Sequence, residues 1–68
     1  AVLSPREREV AGMIGQGLTS QEIADRLVIA LRTADSHAEH IREKLGLRSR
    51  AQIAIWAVEN GLVPPRTP

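Results

Sequence analysis

Sixty-eight residues with no cysteine and a single aromatic side chain, Trp56, leave room for one small domain and exclude disulfides, thiolate metal sites and base stacking on an aromatic platform. The net charge is +1 and the pI about 8.8, so any attraction for nucleic acid must come from where the cations sit and not from their number. No apolar run is long enough to cross a bilayer, and Arg6, Glu7, Arg8 and Glu9 stand where a signal peptide needs its apolar core, so a soluble, cytoplasmic chain with no membrane partner is the expectation.

The first helix is announced by Ser4, Pro5 and Glu7. Ser4 can cap it, Pro5 suits the first helical position, and Glu7 completes a capping box. It should run to about Gln16, with Val10, Met13 and Ile14 inward at i, i+3 and i+4. Gly12 and Gly15 weaken it or admit a close neighbour, and Gly17 closes it in the left-handed region. The second helix repeats the device with Thr19 and Glu22, and buries Ile23, Ala24 and Leu27.

After a break at Val28-Ile29-Ala30, a third helix should start near Leu31 and end at Gly46. Its cap position holds Ala30, at a cost of about 1 kcal/mol relative to a capping side chain. Ala34, His37, Ile41 and Leu45 form its inward line; Arg32, Asp35, Ser36, Glu39, His40 and Glu43 face out. The fourth helix opens on Ser49 and Gln52, read as a third capping box, and terminates at Gly61. It carries two apolar stripes. Ile53, Ala54 and Ala57 suffice for a core, so Ala51, Ile55, Val58 and Leu62 are read as a surface for another copy of the domain. The expected architecture is all-α, a compact four-helix domain over residues 1–63 followed by a Pro-rich tail over residues 64–68. The abrupt start at Ala1 and the closing Pro-Pro-Arg-Thr-Pro suggest a module of a longer protein.

Helices two and three with their short break outline a helix-turn-helix, in which Ala24 allows close crossing. Any small helical bundle contains such a corner, so the spacing alone does not decide between DNA binding and a structural role. Catalysis finds no support. Asp35, Ser36 and His37 are consecutive on a helix, where neighbours diverge by about 100 degrees and cannot converge as a triad. His37 and His40 lack a third metal ligand, and His37 is on the inward line. No enzyme activity, metal or cofactor is expected.

Leu3-Ser4-Pro5-Arg6-Glu7-Arg8-Glu9-Val10, Gly17-Leu18-Thr19-Ser20-Gln21-Glu22-Ile23-Ala24, Thr33, His37, Ile41, Lys44-Leu45-Gly46-Leu47 and Ser49-Arg50 together resemble the C-terminal DNA-binding domain of LuxR-type bacterial transcription regulators, the GerE domain. The likeness covers almost the whole chain. It implies a four-helix domain whose third helix enters the major groove and whose fourth mediates dimerisation on the operator, with a sensing or regulatory domain preceding it. The chain departs from the family pattern where a Ser is common at the start of the third helix, replaced by Ala30. It departs again at the Thr-Val-Lys run, replaced by Thr33-Ala34-Asp35, which makes the lysine position acidic.

The expected partner is double-stranded DNA. Thr19, Ser20 and Gln21 at the second helix's N-terminus can serve a phosphate, as can Arg32 and Thr33. Asp35, Ser36, Glu39 and His40 are the candidate base readers, and Lys44, Arg48 and Arg50 candidate backbone clamps. Two outward carboxylates repel phosphate but can accept from cytosine N4, altering preference while weakening affinity. The alternative is a protein-interaction or dimerisation module in which DNA binding is weakened.

Overall fold

The computed structural model describes residues 2–63. All of its helices but one begin where a side chain can satisfy their first amides. Ser4 Oγ accepts from the Glu7 N–H at 3.2 Å while Glu7 Oε1 accepts from the Ser4 N–H at 2.8 Å, opening α1 at Pro5–Gly15. Thr19 and Glu22 repeat the exchange at 3.1 and 2.8 Å, opening α2 at Ser20–Leu27. Ala30 offers nothing of the kind, and α3, Leu31–Leu45, starts without a side-chain cap.

The third expected capping box is only half formed. Ser49 Oγ accepts from the Gln52 N–H at 3.3 Å at the start of α4, Arg50–Glu59, but Gln52 Oε1 accepts from the Arg48 N–H at 2.6 Å and not from Ser49 itself. The cap residue is the reason: Ser49 is extended at φ −146°, against −69° and −79° for Ser4 and Thr19, and the amide within reach is that of the residue before it.

The helix ends share one device. After α1, α3 and α4 the chain turns through Gly17, Gly46 and Gly61 at φ +89°, +68° and +72°. In each case the following N–H reaches back five residues, Leu18 to Met13, Leu47 to Arg42 and Leu62 to Ala57, which is the Schellman closure. The end of α2 has the same bond, Ile29 N–H to the Ala24 carbonyl at 3.0 Å, but the left-handed residue is Val28 at φ 56°. A β-branched side chain is ill suited to that region, at a cost of roughly 1–2 kcal/mol. What holds it there is Ile29, which this turn swings back against the core.

The expected all-α, four-helix architecture with a helix-turn-helix is what the described residues adopt. Leu3, Val10, Ala11, Ile14, Ile23, Ala24, Ala34, Ile41, Ile53 and Ala57 form one buried core. α1 packs most extensively on α4, α2 packs on α3, and α3 also meets α1 and α4. The glycines of α1 set the α1–α4 spacing. A Cβ on Gly12 would stand 2.8 Å from the Leu62 carbonyl oxygen, and one on Gly15 would press on Val63 Cγ2 and lie 3.1 Å from Ala57 Cβ. The Pro-rich tail over residues 64–68 lies outside the described residues.

Two substitutions test these backbone arguments. Gly12→Ala gains helix propensity but collides with a backbone oxygen, and urea unfolding should show a net loss of about 1 kcal/mol or more. Val28→Asn puts a residue tolerant of the left-handed region at a site that is 89% exposed, so no packing is lost and stability should rise by about 1 kcal/mol.

Candidate nucleic-acid interface

The turn at Val28 delivers α3 with a polar outer surface. Arg32, Thr33, Asp35, Ser36, Glu39 and His40 are all exposed, whereas Ala34 and Ile41 are buried and His37, Ala38 and Leu45 are half-buried against α1, α2 and α4. The inward line read from periodicity is therefore the observed one, and the six outward candidates share the free side of α3. His37 is half-buried on the packed side, and His40 is exposed. Among the described residues no cluster of three or more His, Cys, Asp or Glu could hold a metal ion.

At the N-terminus of α2, Thr19 is the cap, Ser20 is half-buried, and the Gln21 side-chain amide donates to Asp25 Oδ1 at 3.0 Å. The capping contacts also act on Glu22, whose carboxyl is held below its usual value by the Thr19 backbone N–H and then by the Thr19 hydroxyl.

The basic residues near the chain's end do not form one cluster. Arg50, the first residue of α4, reaches across to the start of α2, donating from Nη1 to Ser20 Oγ at 3.1 Å and from Nη2 to the Leu18 carbonyl at 3.0 Å. This brings the N-termini of two helices together around one guanidinium. Gly17, Leu18, Thr19, Arg50 and Ala51 line a shallow groove of about 310 Å³ at that junction. Lys44 goes elsewhere: its Nζ donates to Glu7 Oε1 at 2.7 Å, tying the last turn of α3 to the start of α1. Since α1 spans about 16 Å at 1.5 Å per residue, Lys44 and Arg50 are held near its opposite ends. Arg48 is exposed.

Sequence reasoning missed both of these ties. They join residues 37 and 30 positions apart, and no local pattern marks them. A usable signal existed only for Glu7, an acid at a helix start with the apolar residues Leu3 and Val10 one turn to either side of it. Its carboxyl is held down from 4.5 to about 2, first by the Lys44 hydrogen bond and then by the Ser4 backbone amide.

On α4 the first stripe, Ile53 and Ala57, is buried with Ala54 half-buried. Of the second, Ala51, Ile55 and Val58 are exposed, the latter two at 59% and 57%. Leu62 is different: half-buried, it packs on the chain's own core against α1.

A family model described as "Bacterial regulatory proteins, luxR family" matches residues 1–57. The chain belongs to the LuxR family of bacterial regulatory proteins. Among its relatives, the transcriptional regulatory protein MctR of Rhizobium johnstonii is 38% identical over 61 residues, which are 90% of this chain and 28% of that protein. The oxygen regulatory protein NreC of Staphylococcus aureus is 36% identical over 62 residues, 91% of this chain and 29% of that protein. The chain thus spans less than a third of the length of these LuxR-family relatives. The family is one of transcription regulators and not of enzymes.

The Glu7–Lys44 pair gives a pH signature. Because the folded pKa of Glu7 lies below its ordinary value, its contribution is complete above about pH 4.5 and is lost as the pH falls through about 2. Lys44 is 44% exposed, so solvent screening reduces the expected size to about 1–2 kcal/mol. Urea unfolding of Glu7→Gln should show that deficit at pH 7, and the gap from the native chain should close as the pH falls toward 2.

Proposed function

We propose that this LuxR-family domain binds double-stranded DNA sequence-specifically as the output end of a bacterial, cytoplasmic transcription regulator, with α3 entering the major groove. The observation that carries this reading is the convergence at Arg50. A cation beside the positive end of a helix is unfavourable by itself, and here one guanidinium is bonded to the start of α2 while standing at the start of α4. Such a corner attracts an anion, and a DNA phosphate satisfies it through Thr19, Ser20, Gln21 and Arg50.

α3 has a different task. Its cations Arg32, Arg42 and Lys44 are matched by Asp35, Glu39 and Glu43, so it supplies no net attraction for the backbone. Arg32 and Thr33 at its start serve phosphate, while Asp35, Ser36, Glu39 and His40 face base edges, the carboxylates accepting from cytosine N4. Lys44, already paired with Glu7, contributes less than Arg50, and Arg48 lies free to reach the backbone. Ala51, Ile55 and Val58 form the surface on which a second copy pairs when two domains occupy neighbouring half-sites. The regulatory part that receives the signal belongs to sequence beyond this domain, as the length of MctR and NreC suggests. The two carboxylates on the outward face of α3, Asp35 and Glu39, against the single cation Arg32 favour one rival, a protein-interaction module.

Salt dependence separates the two. Contact with about four phosphates gives a log–log slope of about −3.6 for duplex binding, and Arg50→Ala should flatten it by about 0.9 while weakening all duplexes alike. A flat salt response would favour the rival. Asp35→Ala should instead shift the preferred base at one position in selection from randomised duplexes. Val58→Glu should weaken the pairing of two copies on a duplex with two half-sites, read by sedimentation of the complex, while changing the unfolding free energy by less than about 0.5 kcal/mol, since the side chain is exposed.

A further inference from the structure

The start of α3 breaks two rules at once. It has no side-chain cap and no acidic residue in its first turn, although α1 and α2 have both. At its first position it exposes Leu31 to 44%, beside the 89% exposed Val28. The corresponding first residues of α1, α2 and α4 are Pro5, Ser20 and Arg50, each of which serves the helix start or bonds to a neighbour. Leu31 does nothing comparable for the fold, since a capping residue at position 30 and a polar one at 31 would stabilise the helix start more. Local choices that oppose stability concentrate where a chain meets its ligand.

Position decides which ligand group. The first turn of a recognition helix lies closest to base edges. Leu31 stands one turn before Asp35 on the same side of α3. The surrounding surface carries Asp35 and Glu39 beside the single cation Arg32, and Leu31 itself offers a phosphate neither charge nor hydrogen bond. The one apolar feature that the major groove presents at a base edge is the thymine C5-methyl group. We infer that Leu31 is a specificity-determining residue that packs on a thymine methyl in the major groove, next to the base read by Asp35. This rests on the DNA-binding reading above, and it adds a base and an atom to it. Val28 owes its exposure to the turn that swings Ile29 against the core and takes no part in the readout.

Deoxyuridine differs from thymidine only by that methyl, so it isolates the contact. A preferred duplex is selected from random DNA with the 68-residue chain, and each thymine is then replaced singly by deoxyuridine. At one position the native chain should lose about fourfold in affinity, the equivalent of one buried methyl group. Leu31→Gln, checked for unchanged helicity by circular dichroism, should bind the thymidine and deoxyuridine duplexes equally, while Val28→Asn should still discriminate. Selective binding with no position sensitive to the methyl overturns the role of Leu31 alone, as does a sensitivity that survives Leu31→Gln. Failure to select any duplex overturns this inference together with the DNA-binding reading.

Discussion

The bond from the Ile29 N–H to the Ala24 carbonyl is the constraint on which the rest of this domain turns. It can form only if Val28 enters the left-handed region, and the strain is offset by bringing Ile29 onto the core and by closing the end of α2. Once it forms, the direction of α3 is no longer free. Ala34 and Ile41 meet the core, and the outward residues are presented together on the opposite side. Ala24, only 2% exposed, is small enough to let the two helices approach at this point. A larger residue there would push α3 away and undo the register of every outward side chain at once.

Most of the fold was legible because it is written in short-range chemistry. Ser4 with Glu7, Thr19 with Glu22, and the glycines after three helices are local signals, and the i, i+3, i+4 apolar spacing gave the buried faces. What stayed hidden depends on tertiary context. Val28 stands where glycine would be expected, and its conformation follows from the packing of half-buried Ile29 against the core, which no dipeptide preference reports. Gln52 bonds one residue earlier than its spacing implied because Ser49 is extended. The candidate site divides in the same way. Which residues of α3 face outward followed from periodicity, whereas the partners of Lys44 and Arg50 required the helices to be packed. Leu62, one residue after a left-handed glycine, has left the period of α4, and so the stripe drawn from sequence ran one residue too far.

Packing also changes what the charges mean. A net charge of +1 says little about an anion, because one cation is spent within the fold and another is held in place. Glu7 and Lys44 neutralise each other where α3 meets α1, and in doing so they fasten the far end of the helix whose start is set at Ile29. Arg50 is the opposite case: its hydrogen bonds go to a hydroxyl and a carbonyl, which orient the guanidinium without cancelling its charge. Position and residual charge, more than number, distinguish the two.

On the proposed reading this arrangement separates holding DNA from choosing it. Phosphate attraction comes mainly from the junction of α2 and α4, with Arg32 and Thr33 adding contacts at the start of α3, and the rest of α3, with balanced charges overall, contributes discrimination through groups that suit only certain base edges. A reader so built gains little from non-specific contact, because wrong sequences leave its carboxylates facing acceptors. The same economy leaves a single domain with modest affinity. Linking two copies on neighbouring half-sites multiplies occupancy without any new contact to a base, and the exposed apolar row of Ala51, Ile55 and Val58 is suited to that pairing. That row is too short to bury the area of a stable standing interface, so pairing that depends on the DNA itself is the arrangement its size supports.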